Sequence, residues 1–173
     1  MRYSVLQGNE NGQTCSGDRS ALLAGGLFSS SGALADWQTQ RYDGGEGAAA
    51  SLRMGKYNLS LSCSRSQRPS LQFTLVGKSF PNLHASDDVE ASLAFRFVLE
   101  GGASYTERFS AWYYGGDGAW TGQIAVGEAF LVAFEKAGEM QLLNPKGGVV
   151  LTFPMRGSGK AGKAFRQDCR LGD

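Results

Sequence analysis

Four groups of residues in this chain carry side chains capable of chemistry. The segment Gly157-Ser158-Gly159-Lys160-Ala161-Gly162-Lys163-Ala164 comes close to a phosphate-binding loop. Two glycines five apart with a lysine after the second let backbone N–H groups surround a phosphate while the lysine neutralises it. Here Ala164 stands where a Ser or Thr hydroxyl would hold magnesium, and the preceding apolar run contains Pro154 within an antiparallel pattern. The segment therefore reads as a glycine-rich cap that opens a short helix.

His84 is the chain's single imidazole. With Asp87 or Asp88 and a serine it has the composition of a hydrolytic triad, but near neighbours in one polar loop rarely supply triad geometry. A solvated loop histidine is the plainer reading, so a hydrolase is kept as an alternative with no catalytic residue assigned. The three cysteines, Cys15, Cys63 and Cys169, form no C-x-x-C pair, which leaves no zinc-type ligand set, and no cofactor is expected.

The cysteines suggest a staple instead. Cys63 lies on the apolar face of a strand pattern and Cys169 near the end of a helical one. A bridge between them would close a loop of about a hundred residues, which is about 4–5 kcal/mol in the chain-entropy description. Reduced, buried cysteines are the alternative, and Cys15, in a Gly/Asn/Ser segment, could pair with either of the others.

The fourth group is aromatic: Trp112, Tyr113, Tyr114 and Trp120 flank the turn Gly115-Gly116-Asp117-Gly118. Alternation along a strand puts Trp112 and Tyr114 on one face and Tyr113 on the other. An exposed set, Trp112, Tyr114 and Trp120, would form a platform that stacks on sugars or anchors a protein; core packing is the alternative.

The elements that must position these groups are strands. Tyr57, Leu59, Leu61 and Cys63 alternate with Asn58, Ser60 and Ser62, and Leu71, Phe73 and Leu75 alternate with Gln72 and Thr74, which predicts two antiparallel strands. Val89 to Leu99, Thr106 to Tyr114 and Ala119 to Val126 extend the pattern, and Met140 to Leu143 with Val149 to Met155 bracket a turn at Asn144 to Gly148 to make a final hairpin. Glu128 to Ala137 fits a strand or a helix, and its LVAF run and the following Ala-Gly favour a strand with a turn. Ala161, Ala164, Phe165 and Cys169 fall near helical spacing after Ser158, predicting a short C-terminal helix packed by Phe165. Seven or eight strands and one helix specify an all-β fold, an antiparallel sandwich or a flattened barrel.

Composition bounds the partners. Seventeen basic against sixteen acidic residues give a net charge of +1, which removes the broad basic footprint of a nucleic-acid binder. Glycine, 25 of 173 residues without a collagen period, implies many turns. No apolar run is long enough for a transmembrane helix. Arg19, the apolar ALLAGGLF and Ala33-Leu34-Ala35 before Asp36 follow the grammar of an export signal, although Glu10 and Asp18 precede it. Residues 1–35 are therefore an N-terminal segment, either signal-like or part of the fold, and residues 36–173 a single β domain.

The run from Trp37 through Cys63 to VVLTFPMRGSGKAGKAFRQDC resembles small periplasmic proteins of Gram-negative bacteria, of the invasion-associated locus B and type VI secretion-associated VasI-like kinds. Phe153, Gly157, Ser158, Ala161, Phe165 and Cys169 fill the late strand, turn and helix of that pattern, and Cys63 matches its earlier strand cysteine. The resemblance implies an exported, non-enzymatic β-sandwich, an envelope accessory protein that binds another macromolecule. A protein partner is expected and a glycan is the alternative. Cys15 departs from the two-cysteine scheme.

Overall fold

The computed structural model describes residues 36–169, apart from 43, 45, 46, 65, 78, 81, 82 and 85–88. These residues belong to one compact unit, Ala33–Asp173. The expectations for residues 1–35, Cys15 included, lie outside the described residues.

The chain runs through β1 (Gln38–Arg41), β2 (Gly47–Met54), β3 (Tyr57–Ser64) and β4 (Ser70–Val76). A small ribbon of β5 (Ser79–Phe80) and β6 (Leu83–His84) leads to β7 (Glu90–Leu99), β8 (Ser104–Tyr114) and β9 (Ala119–Ala125). Helix α1 (Glu128–Lys136), strands β10 (Ala137–Leu143) and β11 (Val149–Pro154) and helix α2 (Ser158–Asp168) complete it. Nine of the strands form one antiparallel sheet in the order β1-β2-β3-β4-β9-β8-β7-β10-β11. The sheet curls into a half-barrel, so the all-β expectation holds in its barrel-like form, as one continuous sheet.

Alternation explains the curl's two sides. Leu59, Leu61 and Cys63 of β3, Leu71, Phe73 and Leu75 of β4, and Leu93, Phe95 and Phe97 of β7 are buried on the inner face, while their neighbours face outward. Phe73 meets Phe109 edge to face with ring centroids 5.2 Å apart, and Phe95 stacks on Phe109 at 5.1 Å. Each such buried ring contributes about 1.5–3 kcal/mol. Phe73 reaches across β9 because residue 122 is glycine: a Cβ there would lie 2.6 Å from the Phe73 ring.

The segment Glu128 to Ala137, expected as a strand, is the helix α1. Its buried residues, Phe130, Leu131, Ala133 and Phe134, fall on one helical face rather than on alternate positions. Glu128 in the first turn and Lys136 in the last complement the helix dipole. The Phe130 ring packs on Phe97, and Phe134 on Trp37, so α1 covers the inner face of the sheet.

Helix α2 is the expected C-terminal helix, with Ala161 and Phe165 fully buried. It packs on α1 and against β2, whose inner residues Ala48 and Ala50 are small enough to admit it. Its contact with α1 is close at Gly162, where a Cβ would lie 2.3 Å from Glu135 Cγ. Cys169, at the end of α2, is paired with Cys63 of β3, with Cα atoms 5.8 Å apart.

Candidate functional site

The β8–β9 hairpin turns through Gly115 to Gly118, with Gly118 in the left-handed region at φ 59° that favours glycine. The register beyond this turn pairs Tyr113 with Trp120 and Tyr114 with Ala119. Directly paired residues share a face, so Tyr113 and Trp120 go inward together, with ring centroids 5.5 Å apart. Trp112 and Tyr114 point outward and are 39% and 47% exposed, whereas Tyr113 is 4% and Trp120 0% exposed. This corrects the expectation for Trp120: its ring is part of the core and does not join an outer platform. Trp112 and Tyr114 share the outer face as alternation predicts.

Its surroundings come from two other strands. Gln72 and Thr74 of β4 and Thr121 and Gln123 of β9 occupy the outward positions between inward Leu71, Phe73, Leu75, Trp120 and Ile124. With Trp112 and Tyr114 they line an open depression of about 240 Å3, floored by Phe73 and Gly122. Among the described residues the polar groups of the lining are the hydroxyls of Thr74, Thr121 and Tyr114, the amides of Gln72 and Gln123 and the indole N–H of Trp112, with no carboxylate, imidazole or amine among them. At its margin Glu90 is the register partner of Trp112, and its carboxylate accepts a hydrogen bond from the Ser110 hydroxyl.

Sequence reading finds Trp112 and Tyr114 but not Gln72, Thr74, Thr121 and Gln123. Their outward positions are readable from alternation. Their meeting depends on β4 pairing with β9, across a chain separation that contains two whole strands, β7 and β8, and the small ribbon.

The other chemical candidates have structural roles or stay apart. In the glycine-rich segment, Gly157 is left-handed at φ 86° ahead of α2, Ser158 is buried, and Gly162 serves the packing on Glu135. Lys160 and Lys163 are exposed along α2. His84 contributes backbone to β6 opposite Ser79; Asp87, Asp88 and the surroundings of the imidazole lie outside the described residues. Among the described residues no three His, Cys, Asp or Glu side chains gather in a metal-binding group. Nor, among them, is any helix long and apolar enough to cross a membrane.

Among the described residues two groups titrate away from their ordinary range, and both lie off the platform. Tyr105, at the far end of β8, is pushed up to about 12 by burial and by its hydrogen bond and proximity to the Glu107 carboxylate. Arg166 is held further in its charged form by hydrogen bonds to Glu128 and Glu135, an ion-pair link between α2 and α1. No protein-family model matches the chain, and neither does any curated protein or solved structure.

Proposed function

We propose that this chain is an exported, non-enzymatic binding module that takes a saccharide on the outer face of β4, β9 and β8. One observation carries the reading: two exposed rings, Trp112 and Tyr114, stand on one strand face among Gln72, Thr74, Thr121 and Gln123. A pyranose presents an apolar C–H face and a rim of hydroxyls. The first stacks on an aromatic ring, and the second needs neutral donors and acceptors beside it.

A protein-docking hot spot differs, because it centres on a fully desolvated apolar core ringed by polar groups. Here only two rings are set among amides and hydroxyls, which favours the glycan over the protein partner. Export is supported by the Cys63–Cys169 pair, since disulfides persist in oxidising compartments, and by the signal-like residues 19–35. The resemblance to small periplasmic proteins supports a place in a bacterial envelope.

Tryptophan fluorescence tests the reading, because Trp37 and Trp120 are buried and Trp112 is exposed. Titration with a panel of neutral glucan, mannan and chitin oligosaccharides and acidic polymers should shift the emission with at least one of them. Trp112→Ala should abolish that shift. A flat response across the panel would remove the saccharide reading.

A further inference from the structure

The outer face does not end at the platform. The sheet register aligns one residue from each of six strands in a single transverse row: Glu90 (β7), Trp112 (β8), Thr121 (β9), Thr74 (β4), Asn58 (β3) and Arg53 (β2). Residues paired directly across neighbouring strands share a face, so the row is continuous on the outside. From Trp112 to Arg53 it crosses four strand spacings, about 19 Å along the sheet.

The row is neutral in its middle and charged at both ends. Beyond Asn58, the tip of the β2–β3 hairpin forms a second open depression of about 320 Å3, lined by Arg53, Gly55, Lys56, Tyr57 and Asn58. The Lys56 ammonium lies 5.8 Å from the centroid of the Tyr57 ring. Among the described residues the ion pairs use Arg41, Arg156 and Arg166, and neither Arg53 nor Lys56 is engaged by a carboxylate.

Resting on the saccharide reading above, we infer that the ligand is an acidic glycan that runs across the strands. A sugar ring stacks at Trp112, and a carboxylate farther along the same chain pairs with Arg53 beside Lys56. A guanidinium presents a planar fork that matches a carboxylate with two parallel N–H···O bonds. The hydroxyls of Thr121 and Thr74 and the amide of Asn58 meet the sugar units between. With a net charge of only +1, the chain has no broad attraction for polyanions, so acid selectivity has to come from this local pole.

The test uses the full-length chain with polygalacturonate and hyaluronan, each as the free acid and as its methyl ester, by calorimetry at one fixed salt concentration. The free acid of at least one polymer should bind about tenfold or more tightly than its ester. Arg53→Gln should erase that difference and leave ester binding in place, while Trp112→Ala should weaken acid and ester alike. Lys160→Gln, an exposed cation on α2, should leave the preference intact.

Equal binding of acid and ester, or a preference that survives Arg53→Gln, would overturn the acidic assignment while the saccharide reading stands. A preference lost equally in Lys160→Gln would also overturn it, by showing diffuse charge attraction. Binding to neither form of either polymer would overturn the acidic assignment. If the neutral panel is silent as well, the saccharide reading fails with it.

Discussion

The β8–β9 hairpin carries two aromatic pairs back to back, and they meet opposite fates. Tyr113 and Trp120 go inward, into contact with the phenylalanine core; Trp112 and Tyr114 go outward into solvent. A ring the size of Phe or larger gains about 1.5–3 kcal/mol on burial. The inner pair collects that gain in full, whereas the outer pair, 39% and 47% exposed, forgoes part of it. The outer rings are therefore not fully used by folding, and they lie among the neutral side chains of Gln72, Thr74, Thr121 and Gln123. One strand alternation thus divides a single hairpin into a structural face and an outer face that the proposed function assigns to recognition.

The sharpest way to break this division is to truncate one ring on each side. Trp120→Ala removes a fully buried indole and should lower unfolding free energy by about 3–5 kcal/mol. Trp112→Ala should change it by no more than about 0.5 kcal/mol, as surface substitutions do, while weakening saccharide binding. Urea denaturation of both variants checks the contrast. A large loss of stability in Trp112→Ala would make the outer ring structural after all.

A second test asks how the inner face is closed. The Cys63–Cys169 pair joins β3 to the end of α2 across a separation of 106 residues. Cys169→Ser should cost about 2–5 kcal/mol under oxidising conditions, the range for removing a long-loop disulfide. The wild-type chain after reduction should melt with the variant. Because α2 lies on the inner side, saccharide affinity below the melting temperature should stay within twofold. A melting temperature unchanged by Cys169→Ser would mean that the pair adds nothing to closure.

Much of this architecture was legible in the sequence, for a physical reason. Strands β3, β4, β7, β8 and β9 bury one face only, so their apolar residues recur with period two, and the final hairpin is marked by the turn residues Asn144 to Gly148. Strands β1 and β2 were not legible. β1 is exposed at every position, and β2 carries Ala48, Ala49 and Ala50, whose small side chains give alternation nothing to act on. For helix α1 the sequence favours the wrong one of two open readings, because Phe130 and Leu131 are adjacent and the apolar run is short, so nine residues do not separate a helical period from a buried strand. At the site, Trp112 and Tyr114 were found from alternation. Trp120 was misassigned because its face is set by the register across a four-residue turn. The row from Glu90 to Arg53 was out of reach, because it exists only once β4 pairs with β9 and β2 with β3.

The gentlest test perturbs the plane that separates the two faces. Gly122 lies in the middle of β9, between the outward Thr121 and Gln123, and its missing side chain leaves room for the Phe73 ring on the inside. In Gly122→Ala the new Cβ would fall 2.6 and 2.8 Å from two Phe73 ring atoms and 3.0 Å from the Ser110 carbonyl oxygen. The ring is held by Phe95 and Phe109, so it cannot swing aside freely. Overpacking of this kind costs about 1–3 kcal/mol, which urea denaturation will register. If the faces are independent, saccharide affinity should survive in the folded variant, since the added methyl points inward. If affinity falls although the variant remains folded, the inner packing sets the spacing of Thr121, Gln123 and Trp112, and the two faces act as one device.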